Sequence, residues 1–230
     1  MTGTGTGTAY TVSDVMTQTV VAVGRDAPFK EIVRTMEQWK VSAMPVLEGE
    51  GRVIGVVSEA DLLPKEEFRE GRQSLAESRQ RLDDLAKAGA TTAADLMSTP
   101  AVTVHAAATL ARAARIMAVR RVKRLPVVDH VGMLQGIVSR ADLLKVFLRP
   151  DDQIADEVRR TVVSHLRPVA GHSIDVSVRE GVVTLRGPVH DTALVPLAVR
   201  LARAVEGVVD VEPQLTGGDV GAQEAVPPPV

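Results

Sequence analysis

Gly55-Val56-Val57-Ser58-Glu59-Ala60-Asp61 and Gly136-Ile137-Val138-Ser139-Arg140-Ala141-Asp142 are two copies of one heptapeptide. Each opens on glycine, runs through β-branched apolar residues to a hydroxyl, and sets an aspartate three residues later, where Leu-Leu begins a helical pattern. The stretch reads as a strand entering a helix N-terminus. Unpaired backbone N–H groups and the positive end of the helix dipole favour negative charge at such a junction. The serine and aspartate offer polar contacts to a ligand, and a serine in that place serves equally as a plain helix cap.

The heptapeptide belongs to a longer repeat, which fixes the unit of architecture. Asp14 and Asp95, Met16 and Met97, Pro45 and Pro126, Gly55 and Gly136, and Asp61 and Asp142 all lie at one constant offset, with no gap between Asp14–Leu63 and Asp95–Leu144. Each copy reads as a short apolar segment, a helix, a strand, a glycine turn, a second strand and a second helix. Phe29, Ile32, Val33 and Met36 recur at helical spacing, as do Leu110, Ala113, Ala114 and Met117. Val41–Leu47 and Val53–Val57 read as the strands of the first copy, and Val122–Val128 and Leu134–Val138 as those of the second.

The Val-x-x-Met/Leu-Pro-Val strands, the Gly-x-Val-Ser-x-Ala-Asp-Leu-Leu endings and the Asp-x-Met openings together resemble a tandem pair of CBS domains, from Thr11 to Phe147. The resemblance implies two β-α-β-β-α units packed about a pseudo-twofold axis, dimerising through this module. It also implies adenosyl ligands (AMP, ADP, ATP or S-adenosylmethionine) in the clefts between repeats, alone or with Mg2+, with no tightly bound cofactor. Carried onto this chain, it assigns Asp142 to ribose hydroxyls, Ser139 to ribose or α-phosphate, and Lys123 and Arg124 to the remaining phosphates. Adenine would lie against Val102, Leu125 and Pro126 and bond the backbone of Ala101, Val102 and Thr103. Val21, Met44, Pro45, Ser58 and Asp61 form a weaker second site. The alternative for every apolar residue in these sets is a place in the core.

Charge separates the two repeats. Residues 11–63 hold 5 basic and 8 acidic side chains, whereas 92–150 hold 9 and 3. Arg120, Arg121, Lys123 and Arg124 cluster just before Leu125-Pro126, and guanidinium forks suit phosphate oxygens; the first repeat has Ser42-Ala43 where the second has Lys123-Arg124. Residues 64–91 carry 6 basic and 6 acidic side chains, with Phe68, Leu75 and Leu82 seven apart and Leu85 on their face, which predicts a charged linker helix.

From Asp151 the pattern changes. A helix carrying Ile154, Val158, Val162, Val163 and Leu166, an alternating strand His172–Val178, a Glu180-Gly181 turn, a return strand through Val183, Leu185 and Gly187, a helix Thr192–Val205 and a last strand Gly207–Val211 follow in order. Gly181-Val182-Val183-Thr184-Leu185-Arg186-Gly187 and Val205-Glu206-Gly207-Val208 make this α-β-β-α-β segment similar to a BON domain. The domain reading is therefore 1–10 flexible start, 11–63 and 92–150 repeats, 64–91 linker, 151–216 BON domain and 217–230 tail, in an α+β chain. BON resemblance implies phospholipid or envelope attachment. Residues 151–217 hold 7 basic and 10 acidic side chains, the wrong sign for an anionic surface, so a protein-interaction module is expected and membrane contact is the lesser reading.

Composition excludes several classes. There is no cysteine, hence no disulfide, thiolate site or cysteine nucleophile. Aromatic residues make up 2% of the chain, too few for a base-stacking nucleic-acid platform. His105, His130, His165, His172 and His190 lack ligand spacing, and no nucleophile elbow, P-loop or dinucleotide fingerprint occurs. Met1–Thr8 lacks a basic start and an apolar core, so no signal peptide is read there. The expectation is a cytoplasmic, non-enzymatic sensor of an adenine nucleotide that signals to a protein partner through its C-terminal domain. The alternative is a structural or membrane-associated interaction protein with empty clefts.

Overall fold

A computed structural model describes residues 10–67, 87–163, 166 and 173–217. The spacing of Phe68, Leu75, Leu82 and Leu85 falls outside them, as do His165 and His172. The chain forms two compact units, Thr11–Leu143 and a second that joins Tyr10 to the residues from Leu144 onward.

In the first unit, α1 (Val12–Val15), β1 (Val23–Gly24), α2 (Phe29–Trp39), β2 (Ala43–Glu48), β3 (Arg52–Ser58) and α3 (Glu59–Leu62) precede a short α4 (Pro64–Glu67). The second repeat follows as α5 (Ala93–Leu96), β4 (Val104–His105), α6 (Leu110–Val119), β5 (Arg124–Val128), β6 (Leu134–Ser139) and α7 (Arg140–Leu144). Each repeat makes a three-stranded sheet, β1-β2-β3 or β4-β5-β6, with one parallel and one antiparallel pairing. The registers match at the sequence offset: Ala43 faces Ser58 as Arg124 faces Ser139.

Val41 and Val122 precede the strands. Each helix gives way to a left-handed residue, Lys40 at φ 52° and Arg121 at φ 55°, and the next residues complete the turn before pairing starts. The apolar stripes are narrower than the spacing suggests. Ile32 and Met36 of α2 are buried while Val33 is exposed; Leu110, Ala113 and Met117 of α6 are buried while Ala114 is exposed.

The short helices are capped by Thr/Ser-x-x-Asp boxes, at Thr11 and Asp14, Ser58 and Asp61, Thr92 and Asp95, and Ser139 and Asp142. The hydroxyl of Thr92 holds the Asp95 carboxyl below its ordinary value.

The repeats exchange their first helices. Val12 N donates to Ala108 O (2.8 Å) and Ser13 N to Ala106 O (3.0 Å), while Ala93 N donates to Ala27 O (2.9 Å) and Ala94 N to Arg25 O (2.8 Å). Thr17 bridges to Ile137, and Ser98 to Val56, at the edges of the opposite sheets. Ala90, Ala93 and Leu96 thereby complete a core with Ile32, Met36, Met44, Val46 and Val57 of the first repeat. Arg52 bridges Met133, its own counterpart in the second copy, which marks the pseudo-twofold axis.

In the second unit, α8 (Asp151–Thr161), β7 (Asp175–Arg179), β8 (Val182–Val189), α9 (Val195–Arg203) and β9 (Asp210–Gly217) give the α-β-β-α-β order. The sheet β7-β8-β9 pairs antiparallel, then parallel. Ile154, Val158, Val183, Leu185 and Ala202 are fully buried between sheet and helices. Val162, Val163 and Leu166 lie past the end of α8, and Thr192–Leu194 form a 3-10 turn before α9. The last strand starts at Asp210 rather than Gly207. Gly207 sits at φ 93°, where a Cβ would come within 2.9 Å of Ile154 Cδ1. The Asp151 carboxylate accepts from Glu180 N and Gly181 N, fixing the hairpin turn to the start of α8.

The glycine of each heptapeptide lies under the exchanged arm of the other repeat. A Cβ at Gly136 would fall 2.8 Å from Met16 Sδ and 3.0 Å from Thr17 O, and one at Gly55 would fall 2.8 Å from Met97 Cγ. Gly136→Ala is expected to cost about 1–3 kcal/mol in urea unfolding, as overpacking does, and Met16→Ala in the same chain to recover part of that loss. Additive effects of the two substitutions would reject the contact.

Candidate functional site

The strand-to-helix junctions are satisfied by their own carboxylates. Asp142 Oδ2 accepts from Ser139 N (2.9 Å) and Ser139 Oγ (2.6 Å), and Asp61 Oδ2 accepts from Ser58 N (2.8 Å) and Ser58 Oγ (2.7 Å). Each serine therefore serves as a helix cap. A carboxylate fixed in this way accepts hydroxyl donors and repels phosphate, which suits a sugar diol better than an anion.

The first repeat's Asp61 is buried, 6% exposed, and its Oδ1 pairs with Lys87 Nζ and lies 3.4 Å from Ser98 Oγ. Lys87 plays no part in the sequence-based expectation, because it lies in the charge-balanced stretch 64–91.

In the second repeat, a cavity of about 450 Å³ is lined by Pro100, Ala101, Val102, Thr103, Arg115, Ile116, Val119 and Arg120. It brings the expected backbone segment 101–103 together with Arg115, which the motifs did not single out, and Arg120 of the basic cluster. The signal for Arg115 is helical spacing: 115, 116 and 119 lie on the face of α6 away from Leu110, Ala113 and Met117, and Arg120 caps that helix. Val104 pairs with Val127 in parallel register and Arg124 faces Ser139. Upstream of Val104 the chain therefore leads toward the strand end that carries Ser139. The first repeat has Arg34, Thr35, Gln38 and Trp39 at the positions of Arg115, Ile116, Val119 and Arg120, leaving one cation of two. A separate cavity of about 340 Å³ in that repeat has Glu37, Lys40 and Glu59 in its wall, with Lys40 paired to Glu37.

The remaining expected residues divide between core and interface. Met44 and Leu125 are wholly buried and Pro45 and Pro126 are buried in β2 and β5, while Val21 packs against the first repeat's core. Lys123 is exposed. Arg124 crosses to the other repeat, where Nη2 donates to Ser42 Oγ (2.9 Å) and Nη1 to Ala43 O (3.4 Å). It joins the two repeats at the strands' entry. Among the described residues no group of three or more His, Asp or Glu side chains could hold a metal ion. No described helix is long and apolar enough to cross a membrane.

Two sheets related by a pseudo-twofold axis, with exchanged first helices and a Ser-x-x-Asp box at each strand end, define a CBS domain pair. The chain belongs to the CBS domain family: it matches the CBS domain over residues 12–65 and 93–149 and continues with a BON domain over 150–218. It is similar to CBSX2 of Arabidopsis thaliana, whose crystal structure contains AMP, at 30% identity and a TM-score of 0.54, covering 60% of this chain and 97% of that one. The CBS domain-containing protein YhcV of Bacillus subtilis is 30% identical over 132 residues, which is 57% of this chain and 81% of YhcV. The uncharacterized protein MJ1426 of Methanocaldococcus jannaschii is 28% identical over 153 residues, 60% of this chain and 90% of its own length.

Because Asp61 and Lys87 are both largely withdrawn from water, removing one strands the other. Asp61→Ala is expected to cost about 3–5 kcal/mol in chemical unfolding. A loss below about 1 kcal/mol, typical of a solvated surface pair, would contradict the buried pairing.

Proposed function

We propose that this chain is a non-enzymatic regulatory protein whose CBS pair binds an adenine nucleotide in the second repeat's cleft. Its BON domain carries the bound state to a protein partner. The observation that carries the reading is the cavity between residues 100–103 and the exposed face of α6. It has apolar walls in Val102, Ile116 and Val119 for a base, and guanidinium groups of Arg115 and Arg120 for phosphates. The AMP complex of CBSX2, 30% identical over nearly all of the crystallised chain, supports an adenosyl ligand. Asp142, at the helix entry that follows β6 at the same end of the sheet, is the group for ribose hydroxyls.

In this reading Ala101, Val102 and Thr103 bond and flank the adenine, Arg115 and Arg120 join Lys123 at the phosphates, and Arg124 positions the two repeats. A signal passes only if the ligand's affinity differs between two arrangements of the protein.

Calorimetric titration with AMP, ADP, ATP and S-adenosylmethionine, with and without Mg2+, tests the reading. Saturable binding of at least one compound is expected. Arg120→Ala is expected to weaken it by about 1.5–3 kcal/mol, the worth of a hydrogen bond to a charged group. Arg120 is exposed, so its loss leaves the melting temperature unchanged. Absence of binding to all four compounds would refute the proposal.

A further inference from the structure

We infer that Lys87 is an intramolecular occupant of the first repeat's Asp61 carboxylate and sets the number of adenosyl ligands that one chain takes. The inference rests on the proposed nucleotide binding, since it concerns whether the first repeat's carboxylate is open to the same kind of ligand. Lys87 Nζ pairs with Asp61 Oδ1, and the other oxygen of that carboxylate is held by Ser58. The two side chains are 22% and 9% exposed, and Asp61 is the one buried charged residue among those described.

The backbone that carries Lys87 is tied to the same repeat. Lys65 Nζ donates to Ala88 O (3.1 Å) and Ala90 O (2.8 Å) while lying 5.0 Å from the centroid of the Phe29 ring. Ala90 itself is buried in the first repeat's core. Lys87 is thus held over Asp61 by its neighbours rather than by one flexible side chain.

An ammonium is a set of N–H donors and a ribose diol is a pair of O–H donors, so both satisfy the same carboxylate oxygen and exclude each other. The ammonium adds full charge attraction in a site withdrawn from water, which a neutral diol lacks. The repeat supplies a contrast. At the offset that relates the two copies, the counterpart of Lys87 is Thr6, so the position carries a cation in only one half of the duplicated sequence.

The test titrates the full chain and its Lys87→Gln and Lys87→Arg variants with the same four adenosyl compounds, reading stoichiometry by calorimetry and the emission of Trp39. Trp39 is the chain's only tryptophan and is 58% exposed. It occupies, in the first repeat, the position that Arg120 holds beside the second repeat's cavity. The wild-type chain is expected to bind one ligand per chain with Trp39 emission unchanged. Lys87→Gln, which keeps an N–H donor but no charge, is expected to bind a second with a change in that emission, and Lys87→Arg to stay at one.

Two ligands on the wild type, or one on a folded Lys87→Gln chain, would overturn the inference and leave the nucleotide reading standing. No binding to any of the three proteins would overturn both. Should Lys87→Gln fail to fold, the wild type still decides: a second ligand, or a change in Trp39 emission, refutes occupancy by Lys87.

Discussion

Everything in the N-terminal unit depends on the reciprocal docking of α1 and α5 across the pseudo-twofold axis. A three-stranded sheet with a single long helix leaves one side of its core open, and a helix from the opposite repeat covers it. Leu96 and Ala93 do so for the first repeat through backbone bonds to Ala27 and Arg25, and Val12 and Ser13 make the matching bonds to Ala108 and Ala106. Neither repeat has a complete core of its own, so the pair is the smallest unit that buries its apolar surface. Gly55 and Gly136 are the points where the exchanged arms run closest to the strands, which is why a heptapeptide that looks like a ligand motif must also open on glycine.

On this symmetric frame the side chains are unequal. The same serine-aspartate box closes both strand-to-helix junctions, yet one aspartate pairs with a lysine of the connecting segment and the other belongs to a repeat with a surplus of positive charge. The backbone therefore repeats while the side-chain chemistry at the two junctions does not.

The constant offset between the copies made the fold readable before any coordinates, because strands paired at Ala43 and Arg124 must share one register if the copies share one structure. The arm exchange was not readable: its bonds run between backbone groups of Val12, Ala93 and their partners, which leave no mark on residue type. Arg115 was hidden for a related reason, since a cation on the outer face of α6 looks the same whether it faces water or a cavity, whereas Arg120 already stood in the basic cluster. Val33 and Ala114 keep the helical spacing but lie at the exposed margin of their stripes. Arg124 was legible as a candidate phosphate ligand, but its contact across the repeats was not. In the structure it reaches Ser42 and Ala43, a contact that only the twofold packing creates.

That contact bears on how a duplicated sequence diverges. Residues 43 and 124 are copies of one position and meet each other near the axis, so an arginine in both would press two guanidinium charges together across a few ångströms. The packing admits the cation in one copy and favours a small residue in the other. The two copies are thus electrostatically unequal at the very point where they touch.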